Sequence, residues 1–168
     1  MAKLIIIRGN SGSGKSTVAK QLQQEMGYET MLVQQDVLRR EILRVRDKPG
    51  NPAIELIHDT AAYGRSIGYD VIVEGILTRE RYGEMLQRLS SLFDETHVYY
   101  FDIPFEETVR RHHTKPNAHE YGEKELKEWW NERDLLSDDD TVITHDLGQA
   151  EIVSRIVKDV QATGKKLL

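Results

Sequence analysis

The chain has 168 residues, 39% of them hydrophobic and 30% charged, with a net charge of −5 and no cysteine. That describes one ordinary globular domain, spanning residues 1–168, that buries its own core without disulfide staples. It excludes thiolate metal sites and cysteine nucleophiles and fits a cytoplasmic setting, gives nucleic acid or anionic membrane no overall basic field, and contains no run near the ~20 apolar residues that span a bilayer.

In chain order, the run Leu4 to Ile7 is apolar throughout. It is too short for a signal-peptide core and reads as a strand covered on both faces. A Gly/Ser loop follows, then an amphipathic helix from about Lys15 to Met26, stopped near Gly27. Met31 to Gln34 predicts a second strand. Val37 to Val45 predicts a helix, broken by Pro49-Gly50-Asn51-Pro52. Ile54 to Ile67 reads as a helix, Val71 to Val73 as the third strand, and Arg79 to Leu92 as a helix with Met85, Leu86, Leu89 and Leu92 at helical spacing. His97 to Phe101 is a fourth strand, and Pro104 opens a helix over Phe105 to His112. Lys115 to Gly122 is polar and irregular, Glu123 to Leu136 helical, Val142 to Thr144 a short fifth strand, and Gln149 to Val160 a closing helix. Strands alternating with helices predict an α/β fold: a three-layer α/β/α sandwich on a five-stranded parallel sheet. Ligands are expected at the carboxyl ends of the strands, near a topological switch point.

The stretch Gly9-Asn10-Ser11-Gly12-Ser13-Gly14-Lys15-Ser16 matches the pattern G-x-x-x-x-G-K-[ST] in full. Glycines let backbone wrap phosphate, and successive N–H groups form an anion nest. The following helix aims its positive end at the same point. Lys15 is expected between the β- and γ-phosphates of ATP, and Ser16 on Mg²⁺. Thr17 reads equally as a minor phosphate contact or as a plain helix residue. An apolar strand before the loop and an amphipathic helix after it supply the context that a chance Gly-rich turn lacks.

Asp36 follows the second strand, with Arg39 and Arg40 just beyond. A carboxylate there faces the phosphate loop across the crevice and suits the base that accepts a proton from an attacking hydroxyl. The plainer alternative is a helix cap with solvated arginines. Val71-Ile72-Val73-Glu74-Gly75 is a strand ending in a carboxylate that can hold the Mg²⁺ shell; its plainer reading is a solvated strand end. Arg110, Arg111, His112, His113 and Lys115 cluster after the fourth strand, with Arg133 on the next helix. The region 110–133 therefore reads as a lid that brings arginine to transition-state charge, with Arg111 and Arg110 favoured over Lys115 and Arg133. The alternative is a solvated basic face. His112, His113 and His119 fit no zinc spacing. Trp129-Trp130 reads as helix packing with one ring at the surface, rather than as a platform for a base or sugar.

The phosphate loop, Asp36-x-x-Arg39 and Val71-Ile72-Val73-Glu74-Gly75 together resemble the small P-loop kinase group. That group includes the zeta toxins, chloramphenicol phosphotransferase, gluconate kinase and the 5′-kinase domain of phage polynucleotide kinase. The stretch Glu107 to Leu136 resembles uncharacterised bacterial P-loop kinase-like proteins. The resemblance implies a nucleotide kinase-like P-loop NTPase fold with a lid. It also implies Asp36 as base, Arg39 on the acceptor or its phosphate, Arg110 or Arg111 on the donor phosphates, and adenine near His145 to Gly148. Glu74 departs from the aspartate more often found there. The expected activity is ATP–Mg²⁺-dependent phosphorylation of a hydroxyl on a small molecule or nucleoside-like acceptor. A polynucleotide 5′-kinase and a nucleotide-dependent regulatory switch are the alternatives.

Overall fold

The computed structural model describes residues 1–116 and 118–163, with Thr163 described for its backbone alone. Five strands form one sheet: β1 (Lys3–Gly9), β2 (Thr30–Gln34), β3 (Asp70–Gly75), β4 (Glu95–Asp102) and β5 (Thr141–Thr144). Their order is β2-β3-β1-β4-β5, and every neighbouring pair is parallel. Six α-helices flank them: α1 (Lys15–Met26), α2 (Ala53–Ser66), α3 (Arg79–Ser90), α4 (Phe105–His112), α5 (Glu123–Glu128) and α6 (Gln149–Thr163).

β1 sits at the centre, and period-two alternation sends its side chains to opposite faces. Leu4 and Ile6 join Val71 and Val73 in a core closed by Ile57 of α2 and by Met85, Leu86 and Leu89 of α3. Ile5 and Ile7 face the other way, onto Val18 and Leu22 of α1 and Ile156 of α6. Both faces are covered, which is why β1 is apolar without alternation in its sequence. The expected three layers and five parallel strands are all present.

The chain runs from β1 outward to β2, returns through β3, then crosses to β4 on the other side. That reversal places the switch point beside β1, where the phosphate loop begins. Register aligns the strand ends there: Ile7 pairs with Glu74, and Gln34 pairs with Glu74 from the other side.

Two expected helices differ. Val37–Leu43 is a π-helical segment rather than a regular helix, and it closes on Arg44 with φ of 54°. The helix expected over Glu123 to Leu136 stops at Glu128. Beyond it, Arg133 takes a left-handed φ of 41°, and Asn131 and Asp134 are held by long-range hydrogen bonds. Those tertiary contacts override the helical pattern of the segment. Asn117, inside the expected lid, lies outside the described residues.

Candidate phosphate and acceptor site

The phosphate loop folds over the end of β1. Gly12 has φ of 79°, and a side chain there would meet the Thr108 carbonyl oxygen at 2.7 Å, so α4 lies directly against the loop. Gly14 has φ of 90° and precedes α1 without a side-chain cap, leaving the first N–H groups of that helix open to an anion. Ser16 and Thr17 are exposed in the first turn of α1.

Lys15 does not sit on a solvated loop. It is buried, and its Nζ donates to the Asn10 carbonyl at 3.0 Å. Burial lowers the pKa of its ammonium, while the charges of Glu74 and Asp36 oppose that shift and Lys115 adds to it. Two carboxylates and a second cation thus converge electrostatically on Lys15. Glu74 is buried at 3% exposure. One of its oxygens accepts from Ser16 Oγ at 2.9 Å, and the other accepts from Gln34 Nε2 at 3.0 Å. The solvated strand-end reading of Glu74 therefore fails.

Asp36 is exposed and pairs with Arg39 at 3.6 Å. It does not cap the π-helical segment: its backbone is itself helical and its carboxylate bonds no N–H there. Arg39 also donates to the Val45 carbonyl at 3.0 Å, which holds the loop that follows. Asp36, Arg39 and Arg40 line a cleft of about 750 Å³ beside Ser11 of the phosphate loop. Arg46 and Arg81 enter the same cleft, and Trp129 and Trp130 form its far wall.

The basic residues after β4 divide. Arg111 Nη1 donates to the Ser13 carbonyl at 2.8 Å, so it touches the loop. Arg110 points to solvent and is held by Glu107 at 2.6 Å and 2.8 Å. Hydrogen bonds from Arg110, then Arg111, hold the Glu107 carboxyl down to about 2. The charge of Lys115 is felt at Lys15, where it adds to the lowering by burial. His112 is buried and donates from Nε2 to the Tyr121 carbonyl at 2.6 Å, with its ring 4.4 Å from that of Tyr121. Tyr121 leans on Trp129, ring centres 5.1 Å apart, and its hydroxyl lies 3.4 Å from Ser11 Oγ. Trp130 meets Phe105 edge to face at 5.4 Å. Packing accounts for Trp130, and Trp129 is the ring at the surface, with 46% exposure; both nevertheless line the cleft rather than a helix flank.

Sequence reading missed Arg8, which is wholly buried at the end of β1. It donates to the Leu77 carbonyl at 2.9 Å, the Asp134 carbonyl at 2.7 Å and the Asp134 carboxylate at 2.8 Å. Burial lowers its pKa, against the raising effect of Asp134. The signal was available: a cation within an apolar two-faced strand must be paired. Gln34 and Tyr121 carried no such signal. Glu55, His58 and Asp59 cluster at the protein surface, far in sequence from the phosphate loop. No helix among the described residues is long and apolar enough to cross a membrane.

Residues 4–136 match an AAA domain family. No curated protein matches the sequence. Among solved structures, an APS kinase of Mycobacterium tuberculosis, in complex with AMPPNP and APS, has a TM-score of 0.73 at 17% identity, over 95% of this chain and 98% of that one. A sugar kinase of a Janibacter species has a TM-score of 0.72 at 17% identity, over 96% and 95%. A gluconokinase of Sinorhizobium meliloti has a TM-score of 0.63 at 17% identity, over 96% and 97%. At such identities the shared property is the fold, and it is the fold of the small P-loop kinase group that the motifs resemble. By the match over residues 4–136, the chain belongs to the AAA domain family.

Proposed function

We propose that the protein is an ATP–Mg²⁺-dependent phosphotransferase that moves the γ-phosphate to a hydroxyl of a small-molecule or nucleoside-like acceptor. One observation carries this reading: Asp36 stands in a large cleft beside the phosphate loop, close enough to Lys15 for their charges to interact. A pure nucleotide switch has no use for a carboxylate lining such a cleft beside the phosphate loop.

In this reading the loop N–H groups and Lys15 hold the donor phosphates and offset their charge. The residues present suit Mg²⁺. Ser16 and Glu74 offer hard oxygen atoms 2.9 Å apart, the donor type this ion prefers. When bound, Mg²⁺ would neutralise charge on the β- and γ-phosphates. Asp36 accepts the proton of the acceptor hydroxyl as that oxygen bonds to the γ-phosphorus and the bond to the β–γ bridging oxygen breaks. Arg39, locked to Asp36, orients the acceptor. Arg111 and Lys115 bring further positive charge to the donor side. Arg110 must leave Glu107 before it reaches the phosphates, so it stands behind them. The loop at residues 145–148 is assigned to the purine, and the cytoplasm, with its ATP, is the setting that fits.

Trp129 and Trp130 offer the acceptor an aromatic wall, a surface suited to a sugar or a base. The names of the gluconokinase and the sugar kinase point the same way. The test is transfer of labelled γ-phosphate from ATP–Mg²⁺ to pooled sugars, nucleosides, antibiotics and 5′-hydroxyl oligonucleotides. A labelled product is expected, with Asp36→Asn lowering its rate by about 10²- to 10⁴-fold. Unchanged transfer in Asp36→Asn would refute the base, and label on the oligonucleotides alone would select a polynucleotide kinase.

A further inference from the structure

Asn10 lies within the phosphate loop, yet its side chain is aimed away from any phosphate. It is 5% exposed. Its Nδ2 donates to the Asn131 carbonyl at 2.7 Å, and its Oδ1 accepts from the Asn131 N–H at 2.8 Å. Both polar atoms of the amide are therefore committed, in a pairing that imitates a strand bridge. Asn131 in turn donates from Nδ2 to the Trp129 carbonyl at 3.0 Å. At the other end, the Asn10 carbonyl takes the Lys15 ammonium. One residue thus touches both the lysine of the donor loop and the wall of the acceptor cleft.

The geometry points to Asn10 as a positioning residue: its side chain couples donor binding at Lys15 to the placement of Trp129 and Trp130. This rests on the loop being the nucleotide site. The wall is pinned twice. Arg8, in the central strand, holds Asp134, whereas Asn10, in the phosphate loop, holds Asn131. The Lys15 ammonium donates to the Asn10 carbonyl. Phosphates compete for that ammonium, and any shift of Asn10 that results passes through its amide to Asn131. Asn131 carries the shift to the backbone of Trp129, whose ring rests on Tyr121 beside Ser11. A purely structural amide would stabilise the wall without reporting on the loop.

The chain has two tryptophans, and both stand in this wall. Tryptophan emission, excited at the red edge where tyrosine does not absorb, therefore reads the wall, and no acceptor need be known. AMPPNP–Mg²⁺ is titrated into the wild type and into Asn10→Ala, with affinity taken separately by calorimetry. The wild type is expected to change its emission on binding. Asn10→Ala, compared at AMPPNP concentrations that calorimetry shows to be saturating, is expected to show no emission change, because the side-chain contacts it loses are those to Asn131. An emission change in Asn10→Ala equal to the wild type's would overturn the coupling, as would a wild type that binds AMPPNP with no change at all. Loss of AMPPNP affinity in the variant would make Asn10 a donor-site residue instead. If the wild type binds no AMPPNP, the nucleotide reading itself falls. Should Asn10→Ala not fold, hydrogen exchange on the wild type decides: AMPPNP must alter exchange at 129–134, and exchange altered only in the loop refutes the proposal.

Discussion

Asp134→Ala is the most informative single change to the scaffold of the site. Arg8 is wholly buried, and its charge is met by the Asp134 carboxylate at 2.8 Å. Removing one partner of a buried pair leaves an uncompensated charge, which costs about 3–5 kcal/mol. Arg8 keeps its bonds to the Leu77 and Asp134 carbonyls, and Asp134 is itself a quarter exposed, so the lower end of that range applies. A loss of about 3 kcal/mol lowers the midpoint of a domain this size by roughly 6–12 °C. Asp134→Asn, whose amide oxygen still accepts from Arg8 and from the Arg79 N–H, should cost about half as much.

The assay is a double-mutant cycle by urea unfolding, with Arg8→Met as the second change. In the Arg8→Met background no buried charge remains to be orphaned. Asp134→Ala should then cost about 1 kcal/mol or less, giving a coupling of about 2 kcal/mol. Additivity within about 0.5 kcal/mol would refute the claim that the carboxylate works by neutralising Arg8.

Lys15→Met removes an ammonium whose charge the fold opposes and loses one hydrogen bond, worth about 1 kcal/mol. Those effects offset, so the ligand-free melting point should move by no more than about 4 °C while AMPPNP binding is largely lost; a fall of about 8 °C or more would contradict this. Glu107 tests pH. Its carboxyl is held at about 2, below its ordinary 4.5, so its contribution is fully present above pH 4.5 and is lost as pH falls toward 2. Wild type should melt above Glu107→Gln at pH 6 and together with it near pH 2, and the gap should shrink in high salt, since the pair is exposed.

Much of the fold was legible because hydrophobic period and loop chemistry agreed. β1 was readable because both its faces are buried, and the phosphate loop because only glycine fits beneath the Thr108 carbonyl. The sequence assigned Ser16 and Glu74 separately to the metal; the hydrogen bond that joins them depends on strand register and was not read. What the sequence hid was long-range. The stop at Glu128 depends on Asn10 and Arg8 gripping residues more than a hundred positions away. The docking of α4 on the loop at Gly12 and Ser13 is a tertiary contact that the sequence does not show. The split between Arg110 and Arg111 is a matter of which one faces Ser13, and neighbours in sequence cannot show that.

Glu74 shows why a departure from pattern need not weaken a site. A carboxylate one methylene shorter would sit up to about 1.5 Å closer to the β3 backbone. It could not reach Ser16 Oγ directly, and a water or cation would have to fill the gap. Glutamate closes that gap directly, with Gln34 steadying its second oxygen. The serine hydroxyl spends its one proton on Glu74, and both its lone pairs are left free. An oxygen so oriented suits the cation ligand proposed for it. On the proposed reading, the longer side chain leaves Ser16 oriented for a metal ion while its negative charge offsets the burial of Lys15.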